Sequence, residues 1–337
     1  MDIKSTMLHA IGLAEKALGK TAPNPIVGAV IIDAAGEIVG EGFHDRMHSL
    51  DHAEIVAIKA AGNKSRGATM VVTLEPCNHT GSTAPCTQAV IGAGISTVIF
   101  ALKDPNSQAA GGEAVLRNAG ITVASGICEK EAAYSNRAWL MKIAKTRPYF
   151  TWKVAATLDG KVAALDGSSK WITSTASRHD VQLLRRAVDA ILVGTNTVIV
   201  DDPHLVPRGN FFGYTANPLR VIFGERELPA TANIFDNAAR SLMVKSKDLD
   251  QLVEALNQQG VNHVLVEAGP TLATAMLEAG LLDELVIYQA PSIIGMGKTF
   301  IGDLGAKTID HRVVMDHVST QILNSDIKSV YRIRNGG

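Results

Sequence analysis

Across residues 26–102 short apolar runs alternate with helix-like stretches, and this alternation restricts the chain to a layered α/β architecture. Strand-like runs fall at 27–32, 69–74 and 97–102, and helical spacing at 52–61 and 87–93. Asp33-Ala34-Ala35-Gly36 stands between two apolar runs as a hairpin turn, so the first two strands are expected antiparallel and the sheet mixed. A helical stretch over 129–145 should stop at Thr146-Arg147-Pro148, because proline disfavours helix in the residue before it. The domain boundary is placed there, giving 1–147 and 148–337. A strand pattern restarts at 149–157 and recurs at 190–193, 220–223, 242–245, 263–266 and 284–288, with helices expected at 174–186, 248–259 and 271–279. The second half is therefore also α/β. The polar stretch 209–217 reads as an exposed loop.

A chain of 337 residues exceeds the usual size of one hydrophobic core, which favours two domains. No apolar run approaches the roughly 20 residues that cross a bilayer. The first helix, near residues 7–18, has no basic segment leading into an apolar one, so a cytoplasmic location is expected. A formal net charge of −1 with dispersed Lys and Arg leaves no overall footprint for nucleic acid. Three cysteines are too few for a disulfide framework, and Cys77 and Cys86 sit in one polar loop, which points to a metal or to chemistry. Cys128 reads as a small buried hydrophobe.

The most specific signal is His52-Ala53-Glu54 followed by Pro76-Cys77 and Cys86. One imidazole and two thiolates suit Zn2+, and three protein ligands leave the fourth tetrahedral position for water, as catalysis requires. Zinc lowers the pKa of water to near neutrality, and a carboxylate beside it can carry the proton to a leaving amine. Glu54 is placed for that, two residues from His52 and off its helical face. The pattern is that of zinc nucleobase deaminases, with a longer spacer between the cysteines. Cys86 is expected to open the next helix, whose N-terminal dipole favours a thiolate. His79 is an alternative ligand, though a loop position near substrate is preferred.

Thr21-Ala22-Pro23-Asn24-Pro25, the His52-Ala53-Glu54 triplet, Leu74-Glu75-Pro76-Cys77-Asn78-His79 and Asp104-Pro105-Asn106 together resemble the bifunctional riboflavin-biosynthesis deaminase/reductase family. The resemblance covers nearly the whole chain. It implies a cytidine-deaminase-like N-terminal domain with Asn24, Asp104 and Asn106 at the substrate. Two basic positions of the family are replaced, by Ser82 and at Gly111-Gly112, which leaves Lys103 or Arg46 to meet a substrate phosphate. Ala84 stands where the family has proline.

In the second half the residues alone show no G-x-G-x-x-G. Glu267-Ala268-Gly269-Pro270-Thr271 does follow a strand and start a helix, a geometry suited to phosphate, and Gly194-Thr195-Asn196-Thr197 follows another strand. The resemblance, carried by 153–160, 169–174 and 201–208, implies a dihydrofolate-reductase-like domain binding NADPH. It puts Ala155, Trp171, Thr197, Asp201, Gly269, Pro270, Thr271, Leu272, Ala273, Thr274 and Ala275 at the cofactor, and Ser169, Arg185, Leu205, Arg208 and Glu267 at the substrate. Arg185 and Arg208 make physical sense as forks on a ribose phosphate. Phe223-Gly224-Glu225 departs from the family's Asp-Ser. Asp159 and Lys153 are the candidates for a general acid.

The expected function is zinc-dependent deamination of a diaminopyrimidine ribose phosphate, followed by NADPH-dependent reduction of its ribosyl group to ribityl. Glu54 is the catalytic residue of the first step, and His52, Cys77 and Cys86 hold the metal. The expected partner is a small pyrimidine ribose phosphate, with no nucleic acid and no membrane; a homo-oligomer is left open. An RNA-editing or nucleoside deaminase with a non-catalytic second domain is the rival enzyme, disfavoured by the near-neutral charge. A zinc-stabilised scaffold without turnover is the rival outside enzymology.

Overall fold

The computed structural model describes residues 2–46, 48–79, 84–107, 109–209 and 217–334; Ser82 and most of the 209–217 loop lie outside the described residues. The chain divides into two units, Met1–Thr146 and Arg147–Gly337.

The first unit is a five-stranded sheet flanked by helices. In chain order its elements are α1 (Ile3–Glu15), β1 (Gly28–Ile32), β2 (Ile38–Phe43), α2 (Ala53–Ala61), β3 (Thr69–Leu74), α3 (Cys86–Gly92), β4 (Thr97–Leu102), α4 (Gly112–Asn118), β5 (Thr122–Ser125), α5 (Glu129–Ser135) and α6 (Arg137–Lys145). The sheet runs β2-β1-β3-β4-β5. Strand β1 is antiparallel to β2 and β3, whereas β3, β4 and β5 are parallel, so the sheet is mixed. The continuous apolar runs of β1, β3 and β4 follow from burial on both faces. Helix α2 lies so close on β2 that a Cβ at Gly40 would stand 2.4 Å from the Ala57 carbonyl oxygen. Glycine there lets α2, which carries Glu54 next to the N-cap His52, lie against the sheet.

The single helix expected over 129–145 is two helices. Asn136 interrupts it: its Oδ1 accepts the Ile26 N–H at 3.0 Å and its Nδ2 donates to the Ile26 carbonyl at 2.9 Å, and it then opens α6. Cys128 is half-buried against the core and not fully enclosed.

The second unit contains β6 (Tyr149–Thr157), β7 (Lys161–Ala164), α7 (Thr175–Arg186), β8 (Ala190–Gly194), α8 (Thr195–Asp201), β9 (Leu219–Phe223), β10 (Ser241–Val244), α9 (Leu249–Gln258), β11 (His263–Val266), α10 (Pro270–Glu278), β12 (Glu284–Ala290), β13 (Gly297–Thr299), β14 (Met315–Leu323) and β15 (Asp326–Ile333). Its eight-stranded sheet runs β10-β9-β8-β11-β6-β12-β15-β14, and β7 pairs separately with β13. The strands from β10 to β12 are parallel, while β15 and β14 are antiparallel additions at one edge. One apolar cluster fills the face carrying Phe150, Trp152 and Val154, and a smaller one packs Ile191, Val193 and Ile222. Gly194-Thr195-Asn196-Thr197 is the direct entry of β8 into α8. No helix among the described residues is long and apolar enough to cross a membrane.

Candidate active sites

In the first unit the loops after the parallel strands β3 and β4 carry the chemistry, at the carboxyl edge where α/β sheets place ligands. His52 caps the N-terminus of α2 in extended backbone, and Glu54 lies in the first turn. Cys86 is the first residue of α3, and its N–H donates to the Cys77 sulfur at 3.5 Å. His52 Nδ1 stands 3.6 Å from Cys77 Sγ and 3.2 Å from Cys86 Sγ, and the three donor atoms all lie within 4.8 Å of one another. The two His52 separations are close to the edges of a tetrahedron with metal bonds of about 2.0–2.3 Å.

The proton balance fits a dication too. The Cys77 thiol is drawn down to about 4, first by the hydrogen bond it shares with Cys86, which outweighs burial, and then by His52. The same bond and burial push Cys86 up. A thiolate favoured at Cys77 is the form that binds a metal cation.

Around this group lies a cavity of about 300 Å³ lined by Asn24, His44, His52, Glu54, Cys77, His79, Asp104, Asn106 and Trp139, among others. The expected residues Asn24, Asp104 and Asn106 therefore meet the metal ligands in one space. Glu54 is 3% exposed, and burial, followed by the Cys77 charge, raises its carboxyl above the usual range. Burial, then the His52 imidazole, pushes His44 down to about 4 and keeps it neutral.

Sequence reasoning missed His44 and Glu75. His44 follows the end of β2 with no motif around it. Glu75 is buried, and its two oxygens accept the N–H groups of Asp104 (3.2 Å) and Glu113 (2.9 Å), so it ties the Asp104–Asn106 loop to the cysteine loop. The missing basic residue at Gly112 has a steric reason: a Cβ there would lie 2.0 Å from the Pro76 carbonyl oxygen. Of the proposed substitutes, Lys103 pairs with Glu113 at 3.4 Å, whereas Arg46 is exposed and enters no ion pair among the described residues.

In the second unit a cavity of about 590 Å³ opens at the carboxyl ends of β6, β8 and β11. It gathers Ala155, Ser169, Trp171, Arg185, Thr197, Asp201, Leu205, Arg208, Glu267, Gly269 and Pro270. A second cavity of about 530 Å³ shares Pro270 and adds Thr271, Thr274 and Ala275. Two spaces meeting at the N-terminus of α10, where Pro270 carries no N–H and the Thr271 and Leu272 N–H groups precede the first intrahelical donor, suit an elongated dinucleotide. Leu272 and Ala273 line neither: Ala273 is in the core and Leu272 packs against it.

Arg185 is not a free fork. Its Nε and Nη2 donate to the two oxygens of Glu267 at 2.6 and 2.9 Å. Burial raises the Glu267 carboxyl, but the Arg185 charge, the Arg185 hydrogen bonds and the Lys153 charge together outweigh it and hold the group at about 2. Arg208 is exposed and has no carboxylate partner among the described residues. Asp159 drops out as a general acid: it lines neither cavity, and its oxygens accept from Thr157 Oγ1 at 2.6 Å and the Gly295 N–H at 2.7 Å. Lys153 does line the larger cavity, where burial lowers its pKa.

The comparisons agree with both halves. The cytidine and deoxycytidylate deaminase zinc-binding region matches residues 1–102, and the RibD C-terminal domain matches 148–333. The riboflavin biosynthesis protein RibD of Aquifex aeolicus is 42% identical, with 96% of each chain covered. The chain belongs to the RibD family. RibD of Escherichia coli is 40% identical over 86% of this chain and 88% of its own. A structure of Acinetobacter baumannii RibD superposes with a TM-score of 0.88 at 37% identity, with 98% of each chain covered. A Thermotoga maritima structure described as a diaminohydroxyphosphoribosylaminopyrimidine deaminase/5-amino-6-(5-phosphoribosylamino)uracil reductase gives 0.88 at 32% identity, again with 98% of each covered. As a RibD the chain is a bifunctional enzyme of riboflavin biosynthesis, a deaminase and a reductase, using Zn2+ and NADPH.

Proposed function

We propose that residues 1–147 deaminate a diaminopyrimidinone ribose 5-phosphate and that residues 148–337 reduce the ribosyl group of the product to ribityl. The observation that carries this is the His52, Cys77 and Cys86 group beside buried Glu54, in a chain whose other unit holds a dinucleotide-sized cavity with an Arg185–Glu267 pair.

His52, Cys77 and Cys86 would hold zinc, which supplies a Lewis acid that makes water nucleophilic near neutral pH. Glu54 carries a proton from that water to the leaving amine, which departs as ammonia, and its raised pKa lets it keep the proton between the two transfers. Asn24, Asp104 and Asn106 present amide and carboxylate groups to the edge of the pyrimidine. In the second unit bound NADPH would supply a hydride for the anomeric carbon. The N-terminal turn of α10 would hold its phosphates, and Trp171, Thr197, Asp201 and Ala155, which line the cavity, would surround it. Arg208 takes the substrate phosphate, Arg185 and Glu267 hold each other in place across the cavity, and Lys153 gives a proton to the sugar oxygen as the ring opens.

Incubation of the zinc-loaded chain with the diaminopyrimidinone ribose phosphate, with and without NADPH, tests the proposal by product mass. Exchange of amine for oxygen is expected without NADPH, and gain of two hydrogens only with it. Absence of ammonia release would defeat the first half, and a product never reduced would defeat the second.

A further inference from the structure

Helix α7 carries Arg178, Gln182 and Arg185 at i, i+4 and i+7, one face of the helix. Each side chain reaches a different segment of the reductase cavity wall. Arg185 grips Glu267 after β11. Arg178 donates through Nη1 to the Thr173 carbonyl at 2.7 Å and through Nη2 to Thr175 Oγ1 at 2.9 Å. Its guanidinium carbon stands 4.6 Å from the centroid of the Trp171 ring. Gln182 accepts the Arg208 N–H on its side-chain oxygen at 2.9 Å, and its Nε2 donates to the Arg178 carbonyl at 3.2 Å.

Two of these arrangements hold side chains that little else restrains. Trp171 is 68% exposed, so close packing does not set its ring, and the guanidinium is the cation that stands over it. Arg208 has no carboxylate partner among the described residues, so the direction of its side chain depends on where its backbone is pinned. Arg178 does not itself serve as an anion fork, because both terminal nitrogens are committed to Thr173 and Thr175.

We infer that Arg178 and Gln182 are positioning residues with separate duties: Arg178 sets Trp171 for the cofactor, and Gln182 sets Arg208 for the substrate phosphate. The inference rests on reading this cavity as the reductase site. One rigid helix thereby fixes the spacing between the two ligands, a spacing on which hydride transfer depends.

The test uses the full chain with Arg178→Met, Arg178→Lys and Gln182→Met. The first and last keep side-chain volume and remove the polar contacts. NADPH affinity is read by energy transfer from protein tryptophan to the bound nicotinamide, and substrate KM is measured at saturating NADPH with the deaminated compound. Arg178→Met should weaken NADPH binding about fivefold, the scale of one lost cation–π contact or hydrogen bond, and leave substrate KM nearly unchanged. Arg178→Lys, which keeps a cation over the ring, should recover part of that loss. Gln182→Met should raise substrate KM by about the same factor with NADPH affinity retained. Equal weakening of both ligands by both variants, or no effect of either, overturns the inference. Failure of the unsubstituted chain to bind NADPH would instead overturn the reductase reading beneath it.

Discussion

At the scale of single residues, the two units make different demands on charge. Glu54 sits enclosed beside the metal ligands, and its amide counterpart should keep the cavity and lose the proton transfer. Glu54→Gln is expected to retain stoichiometric zinc and to lose about 10²- to 10⁴-fold in deamination, as measured by ammonia release, while reduction of supplied deaminated substrate is unchanged. A loss under tenfold would remove Glu54 from the proton path. Arg208 presents the opposite case, an exposed guanidinium with its charge available. Arg208→Ala should raise substrate KM by at least about tenfold, the value of a charge-assisted bond of roughly 1.5–3 kcal/mol, with NADPH affinity held. Arg208→Lys should recover only part, because a point charge does not reproduce a fork. If Arg208→Lys matches the unsubstituted enzyme and Arg185→Ala is crippled, the clamp belongs to Arg185.

Among the elements, the short α4 and the cysteine loop depend on one close approach. Gly111, in the left-handed region at φ 94°, precedes the helix with open space around its Cβ position, whereas a Cβ on Gly112 would stand 2.0 Å from the Pro76 carbonyl oxygen. Gly111→Ala should cost about 1–2 kcal/mol through the left-handed backbone and leave zinc in place. Gly112→Ala must push the backbone next to Cys77 aside, so it should lower zinc occupancy and deamination together, with about 1–3 kcal/mol lost in denaturant unfolding. Equal zinc content in the two variants would contradict this. The break at Asn136 belongs to the same scale. Both polar groups of its amide engage the Ile26 backbone, a partner more than a hundred positions away that no local pattern announces.

For the whole molecule, stability should carry a pH signature from Asp189. Burial pushes its carboxyl up to about 6 from an ordinary 3.8, against the N–H donors of His263 and Asn262 that favour the charge. A raised folded pKa means that the folded state binds the extra proton, so this contribution is fully present below about 3.8 and is lost as pH rises through about 6. Glu267 acts with the opposite sign. Held at about 2, it stabilises above its ordinary 4.5 and is lost as pH falls below that, while His44, drawn from 6.5 down to about 4, adds a slope opposite to that of Asp189 between those values, so the Asp189 part is read as the difference between Asp189→Asn and the unsubstituted chain. Asp189→Asn should make the slope of unfolding free energy against pH more positive between about 4.5 and 6, because it removes the stability that is lost on rising pH; an unchanged slope would assign no part of it to Asp189. The two units also predict that a fragment beginning near Lys145 folds alone, binds NADPH and oxidises it with deaminated substrate, since its sheet has its own apolar clusters. A fragment that stays unfolded would show that the halves share a core.

What the chain's own pattern determined was every element with a strong apolar period and every motif written in adjacent residues. Strands β3, β4, β6 and β11 fall where their runs of β-branched and aromatic residues put them, because burial on both faces demands such runs. His52, Cys77 and Cys86 were legible because a metal site needs particular donor atoms, and few residues supply them. The edge hairpin of β14 and β15 was not read, since β14 is almost wholly exposed and shows no apolar alternation. Tertiary structure alone decided that Glu75 is a brace, that Asp159 serves a turn, that Arg185 is spent on Glu267, and that α7 aligns Arg178 and Gln182 with two separate loops. Those roles depend on which charges and hydrogen-bonding groups meet across long sequence separations, and a side chain's partner is set by the packed fold and not by its neighbours in the chain.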